Sequence, residues 1–193
     1  MWNEEQMKVY LREKLSEGRY NHSLGVKDSA ESLAKRYGAD VAKAKIAGLI
    51  HDCAKEMDKK QILDICRKDG CDIDYILEAN PALLHGSAGA IIARDVMKVQ
   101  DKDILNAIKN HTIGKKNMSL LEKVIYLADY IEPSRNFPGV DELRNAACRS
   151  LDEALVLSFD KTIEVVISRG GLIHKDTIEA RNFILCNKTS QGK

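Results

Sequence analysis

Apolar residues recur at helical spacing along almost the whole of this 193-residue chain, and no stretch combines strand-like alternation with hairpin turns. The chain has only three prolines, and aromatic residues make up 5% of it, a composition that disfavours a β-sandwich. No repeat, low-complexity tract or linker divides the sequence. We therefore predict an all-α fold in a single domain over residues 1–193.

Helix-capping residues precede several of the apolar runs. The predicted N-caps are Asp40, Asp58, Asp101 and Ser119, and Gln61 and Glu122 follow the second and the fourth at capping-box spacing. Expected helices include about 3–17, ending before Gly18, about 20–37, and about 83–99 after Pro81.

Composition also limits the classes of partner. Thirty basic residues against 29 acidic ones give a net charge of +1, and neither a basic stripe nor aromatic interleaving appears, so we expect no nucleic-acid partner. No run of 18 apolar residues occurs, so we expect no membrane span. Five scattered cysteines without a CxxC motif indicate reduced thiols, and hence a cytoplasmic protein. The sequence leaves monomer and homodimer both open.

Ionisable residues fall on the inner faces of the predicted helices. Four of the five histidines and two aspartates do so: His22, His51, Asp52, His85, His111 and Asp129. One such histidine is usually a hydrogen-bonded core residue, but burying six polar groups separately would cost several kcal/mol. A shared metal centre would satisfy all six. His174 follows the Gly170–Gly171 break and is expected on the surface.

The donor set restricts the metal. Four imidazoles and two carboxylates are too rich in nitrogen for magnesium, whereas iron, manganese or zinc would fit. Two such metals about 3.5–4 Å apart can hold a hydroxide and lower its pKa toward neutrality. No side-chain nucleophile and no covalent intermediate are then expected.

Five segments in a fixed order resemble a known family. They are RYNHSLGV at 19–26, HDCAKE at 51–56, LLHG at 83–86, NHTIG at 110–114 and LADYIEPSRNFPGV at 127–140. Together they resemble the YqeK-type symmetrical diadenosine tetraphosphate hydrolases, a branch of the HD-domain metal-dependent phosphohydrolases. The resemblance covers about residues 5–185. It places the core motifs in 19–140 and additional helices in 140–187.

The resemblance implies an all-α HD-domain helical bundle with a buried binuclear metal centre, usually of iron, and a dinucleoside polyphosphate substrate. Residue by residue, it implies that the ligands of one metal are His22, His51, Asp52 and Asp129. It implies that Asp52 bridges to a second metal, with His85 and His111 as further ligands.

Cations near these motifs are candidates for binding phosphate. Lys55 lies one helical turn after His51, and Arg135 lies in the loop after Asp129, where a guanidinium can bind phosphate through two hydrogen bonds. The expected catalytic residues are Asp52, Lys55 and Arg135. The expected substrate contacts are Lys55, Arg135, Arg19, His85 and His111. Phe137 can stack on a nucleobase, although a loop phenylalanine more often packs against its own domain.

The function that follows is hydrolysis of diadenosine tetraphosphate to two ADP by attack of a metal-bound hydroxide. The alternative enzyme is a nucleotidase or nucleotide phosphohydrolase of the wider HD superfamily. A nucleotide-sensing module with a degenerate metal site is a third hypothesis, which the complete set of expected ligands disfavours.

Overall fold

The computed structural model describes residues 1–191, with side chains for 1–187. Within this part, eleven α-helices and one 3₁₀ turn occur and no strand is present, so the all-α prediction is confirmed. The helices are α1 (Glu4–Lys14), α2 (Glu17–Tyr37), α3 (Val41–Ile50), α4 (Lys59–Lys68), α5 (Tyr75–Ala79), α6 (His85–Asp95), α7 (Lys102–Asn110), α8 (Leu120–Ile131), α9 (Val140–Arg149), α10 (Leu151–Ser168) and α11 (Lys175–Gln191). The 3₁₀ turn, Pro81–Leu84, leads directly into α6.

The predicted N-caps are confirmed. The side chains of Asp40, Asp58 and Asp101 accept hydrogen bonds from backbone N–H groups of the turns that follow them. Ser119 and Glu122 form a reciprocal capping box at the start of α8. These short-range contacts satisfy N–H groups that have no partner inside a helix.

Two predicted helices have wrong bounds, and one helix was missed. Gly18 does not end a helix, because the Ser16 hydroxyl accepts from the Arg19 N–H and starts α2 at Glu17. The helix expected over about 83–99 is shorter, since the chain leaves Pro81 through the 3₁₀ turn and α6 ends at Asp95. Helix α5 was not predicted. It is a single turn of five residues, too short to show helical periodicity, and Asp74 caps it.

Helices α2, α3, α7 and α8 pack around the centre of the apolar core, and α6 lies against α7. Gly86 in α6 allows the closest approach. A Cβ atom at Gly86 would lie 2.7 Å from the carbonyl oxygen of Lys109 and 2.9 Å from that of Ile108. The missing side chain therefore lets the start of α6 meet the end of α7. Among the described residues, no helix is sufficiently long and apolar to cross a bilayer.

His174 is buried, so the expectation that it lies on the surface is wrong. Its Nε2 lies 3.2 Å from Asp74 Oδ2, and its Nδ1 accepts from the backbone N–H of Asp176 at 3.2 Å. The chain turns back after the Gly170–Gly171 break and packs the beginning of α11 against the beginning of α5.

Candidate metal centre

The six inward-facing residues come from five separate parts of the fold and meet at one place. Their positions are the middle of α2 (His22), the end of α3 (His51) and the residue after it (Asp52), the start of α6 (His85), the end of α7 (His111) and the last turn of α8 (Asp129). Five are buried, and the Asp129 side chain is 17% exposed. The sequence-based grouping of these residues therefore corresponds to a real cluster.

The Asp52 carboxylate lies between two pairs of imidazoles. Its Oδ1 is 3.1 Å from His85 Nε2 and 3.4 Å from His111 Nε2. Its Oδ2 is 3.5 Å from His51 Nε2 and 3.7 Å from His22 Nε2. Each carboxylate oxygen thus faces a different pair, as a bridging ligand requires.

Asp129 joins one of these pairs. Its Oδ1 lies 3.0 Å from His22 Nε2 and 3.9 Å from His51 Nε2. The ligand atoms of these three residues all lie within 4.8 Å of one another, and so do those of His51, Asp52 and His111. Both groups are compact enough to surround a metal ion.

Several nitrogen and oxygen atoms of the cluster have no hydrogen-bond partner among the described residues. In the described part of the chain, the buried His22 Nε2, His51 Nε2 and Asp52 Oδ1 accept or donate no hydrogen bond. His85 Nε2 and His111 Nε2 are only 3.1 Å apart. Leaving buried polar atoms unsatisfied costs about 1–3 kcal/mol each. Metal cations between these atoms would remove that cost, so the residues fit a metal centre.

Backbone carbonyls orient three of the imidazoles. The Nδ1 atoms of His51, His85 and His111 each contact the carbonyl oxygen of the residue three positions earlier. These oxygens belong to Gly48, Ala82 and Ile108, at 2.8, 2.6 and 2.7 Å. A carbonyl only accepts, so each Nδ1 carries the proton and each Nε2 presents a lone pair to the cluster.

A carboxylate orients the fourth imidazole. Glu132 Oε1 lies 3.0 Å from His22 Nδ1, and the same buried carboxylate accepts from the backbone N–H and the hydroxyl of Ser134 at 2.7 and 2.5 Å. A Cβ atom at Gly25 would lie 2.6 Å from Glu132 Oε2, so α2 has room for this carboxylate because Gly25 has no side chain. Our sequence analysis missed Glu132. Its position three residues after Asp129, on the same helix face, is a signal that could have identified it.

The protonation states suit metal binding. Burial alone would raise the pKa of Asp52 and of Asp129, but their contacts with the surrounding histidines hold both pKa values well below the usual range. Burial lowers the pKa of His85, and the charge of Lys55 lowers it further. At neutral pH the carboxylates are therefore ionised and His85 is neutral.

The cluster opens into a cavity of about 610 Å³ that four cationic side chains line. They are Lys55, Arg135, Lys161 and Arg169. Lys55 Nζ lies 3.3 Å from His85 Nε2. It does not reach the cluster from a helix, as the sequence suggested, because α3 ends at Ile50 and the Lys55 N–H donates to the Asp52 carbonyl in a tight turn.

Two arginines contact the carboxylates of the cluster. Arg19 Nη1 lies 2.9 Å from Asp52 Oδ2, and Arg135 donates to both the backbone carbonyl and the carboxylate of Asp129. Arg19 lines a second cavity, of about 320 Å³, on the other side of the 134–138 loop. Arg135 and Phe137 line both cavities and therefore lie between them.

Comparison with known proteins agrees with this geometry. The HD domain model matches residues 19–134, a range that contains all six residues of the cluster. The chain belongs to the HD-domain family. The helices from α9 onward lie beyond the matched part of this HD domain.

Relatives of this HD domain match nearly its whole length. Two are named symmetrical bis(5'-nucleosyl)-tetraphosphatase. The one from Bacillus subtilis is 41% identical over 95% of this chain and 98% of its own, and the one from Halalkalibacterium halodurans is 43% identical over 89% and 91%. A crystal structure from Clostridium acetobutylicum, described as a predicted HD superfamily hydrolase involved in NAD metabolism, superimposes with a TM-score of 0.95 at 52% identity, covering 97% of this chain and 99% of that one. The family resemblance drawn from the motifs is confirmed.

Proposed function

We propose that this HD domain is a metal-dependent hydrolase that cleaves diadenosine tetraphosphate symmetrically into two ADP molecules. The observation that carries the proposal is one cavity whose lining combines His85, His111 and Asp129 of the cluster with four cationic side chains. The full-length match to relatives named for this activity supports the choice of substrate. A small-molecule nucleotide is thus the expected partner.

Two metal ions would be held by the cluster. His22, His51, Asp52 and Asp129 would bind one ion, and Asp52 would extend to the second together with His85 and His111. We propose iron, with manganese or zinc as the alternatives that the same donors accept. When bound, such ions supply water activation at neutral pH and screen charge on phosphate oxygens.

The cationic side chains would hold the substrate against this centre. Lys55, beside His85, is placed to contact a phosphate oxygen, and Arg135 can bind phosphate from the loop between the two cavities. Arg19 would contact the part of the substrate in the smaller cavity. The two cavities suit a substrate with two similar halves, since Arg135 lies where they meet.

No thiol of the cluster competes as a nucleophile. Cys53 follows Asp52 directly, but it is buried, and its Sγ lies 3.6 Å from the Gly89 carbonyl, to which it donates. Burial and the neighbouring Asp52 charge raise the pKa of Cys53 to about 12. The attacking group is therefore expected to come from water.

A single-turnover reaction in ¹⁸O-labelled water tests the proposal. The protein is purified anaerobically, its metals are measured, and the nucleotides are separated by ion exchange and weighed by mass spectrometry. We expect ADP alone, with one label per pair of ADP molecules. Production of AMP and ATP would contradict symmetric cleavage, and label on the protein would indicate a covalent intermediate.

The same assay separates the alternatives. Release of phosphate or pyrophosphate from mononucleotides, with no cleavage of diadenosine tetraphosphate, would identify a nucleotidase. Hydrolysis of NAD would instead connect the chain to the role ascribed to the Clostridium protein. Tight nucleotide binding without turnover at any added metal would identify a sensor.

A further inference from the structure

One wall of the large cavity is built by a helix that lies outside the part of the chain matched to the HD family. Helix α10 contributes Lys161, Thr162, Glu164, Val165, Val166 and Arg169 to the cavity lining, whereas the family match ends at residue 134. The metal cluster thus belongs to the part matched by the HD domain model, whereas α10 lies in the part that only the full-length comparisons cover. A wall of this kind can determine which substrate reaches the centre.

Two cations on this helix are separated by an apolar segment. Lys161, Val165 and Arg169 are spaced by four residues and lie on one helix face, about 12 Å from first to last at 1.5 Å per residue. Val165 is 45% exposed although it lines a cavity. Exposed apolar surface beside cationic side chains in one cavity is typical of a ligand site.

The two cations differ in their surroundings. Lys161 Nζ lies 3.2 Å from Glu142 Oε2 and packs against Gly139, next to the loop that carries Arg135. The exposed Arg169 side chain forms no hydrogen bond or ion pair within the described part of the chain. Lys161 therefore lies next to the loop that carries Arg135, and Arg169, the residue after α10, lies at the far end of the wall.

Aromatic and apolar residues from outside α10 also line the cavity. Phe137 and Tyr130 contact each other edge to face, with ring centroids 6.4 Å apart, and Pro138 follows Phe137 in the same lining. Thr162 hydrogen-bonds Tyr130, the neighbour of Asp129, so α10 is tied to the cluster at this point. The aromatic rings and the valines of α10 line the same cavity, which offers apolar surface to a flat nucleobase.

We propose that α10 is the substrate-selecting wall of this HD domain and holds one nucleoside diphosphate half of the substrate. Lys161 binds its phosphates, and Val165 with Val166 covers the base opposite Phe137. Arg169 contacts the base from the far end. This inference rests on the proposed function, which it deepens by assigning one half of the dinucleotide to residues outside the HD match.

Binding of the product ADP to the metal-loaded protein tests the assignment independently of turnover. Lys161→Ala removes the cation, and Glu142→Ala is the matched control, because it breaks the same ion pair and keeps the cation. We expect Lys161→Ala to weaken ADP binding and to lower kcat/KM for diadenosine tetraphosphate about 10- to 100-fold, the effect of losing a hydrogen bond to a charged group. Metal content should stay unchanged, and Glu142→Ala should behave like the unaltered protein.

The apolar segment has a matched pair of its own. Val165→Asp places a carboxylate in the cavity, whereas Ile167→Asp places one on the same helix at a 62% exposed residue that does not line the cavity. We expect only Val165→Asp to weaken ADP binding, by at least about 10-fold.

The two hypotheses fail in different ways. Equal ADP affinity in Lys161→Ala and Glu142→Ala, or no ADP binding by the unaltered protein, would overturn the role of α10. Failure of the unaltered protein to cleave diadenosine tetraphosphate, with ADP still bound in a Lys161-dependent way, would overturn only the proposed reaction.

Discussion

The four imidazoles of the centre fall into two groups that are oriented by different means. His51, His85 and His111 each donate to a backbone carbonyl three residues earlier, at the end of a helical segment. His22 lies in the middle of α2 and donates to Glu132, which is 110 residues away in sequence. Helix position explains the difference for His51 and His111, because carbonyls in the last turn of a helix lack intrahelical partners, whereas those inside a helix are already bonded. The Ala82 carbonyl contacts both the backbone N–H and the imidazole of His85.

This difference predicts how each group of imidazoles responds to mutation. A carbonyl cannot be removed by substituting a side chain, so the His51, His85 and His111 orientation is robust. The His22 orientation depends on one carboxylate and on the space that Gly25 leaves for it. A carboxylate is also a stronger hydrogen-bond acceptor than the carbonyls that orient the other three imidazoles.

The largest effect is expected at Asp52, whose carboxylate faces all four imidazoles. Asp52→Ala removes the oxygens that face both imidazole pairs, so it should lower kcat by at least about 1000-fold, or about 4 kcal/mol, and reduce metal content. Metal analysis and steady-state kinetics measure both changes. The exposed Asp64→Ala variant is the control. Full metal content with full activity in Asp52→Ala would exclude a bridging role.

The next largest effect is expected at the cationic side chains beside the cluster. Lys55→Ala and Arg135→Ala should each lower kcat/KM about 10- to 1000-fold, or about 1.4–4 kcal/mol of transition-state stabilisation, and leave metal binding normal. Lys60→Ala, a change at a lysine whose side chain is 84% exposed, is the control. If either variant loses metal, that residue supports the centre instead of binding phosphate.

A smaller effect is expected when Glu132, the carboxylate that orients His22, loses its charge. Glu132→Gln keeps a similar shape and should weaken metal affinity about 10- to 100-fold, the usual effect of altering a group that orients a ligand. Anaerobic metal titration measures the affinity. Glu142→Gln, a change at an exposed glutamate, should leave it unaltered. An unchanged metal affinity in Glu132→Gln would remove the distinction between His22 and the other three imidazoles.

The smallest effect is expected at the glycine that accommodates Glu132. Gly25→Ala should destabilise the metal-free protein by about 1 kcal/mol, because overpacking costs about 1–3 kcal/mol and improved helix propensity offsets part of it. Thermal unfolding in the presence of a chelator measures this change. Gly18→Ala lies in the same helix with open space around it and should stabilise instead. Similar shifts in both variants would show that the Glu132 contact is not tight.

Local patterns allowed much of the fold to be predicted. Caps such as Asp40 and the Ser119–Glu122 box need only residues close in sequence, and they are confirmed. The predictions at Gly18 and His174 are both wrong because glycine does not by itself end a helix or place the residues after it on the surface. A glycine can stand inside a helix when a nearby Ser starts it, and a residue after a Gly–Gly break can be buried by a distant helix.

The candidate site shows the same division. The spacing of inward-facing histidines and aspartates was sufficient to group the six residues of the cluster, because five of them continue the periodicity of a helix and Asp52 directly follows His51. Glu132 and the α10 wall were missed, since their roles depend on which helices pack together. A carboxylate at the end of α8 or a lysine on α10 has no local feature that separates it from a solvated residue.

The sequence by itself therefore determined most of the helices, several of their caps and the inward faces that carry the imidazoles and carboxylates. Only the tertiary structure decided that Glu132 orients His22 and that α10 faces the cluster. The physical reason is range: capping and helical periodicity act over three or four residues, whereas these two contacts join segments brought together by the packing of the apolar core.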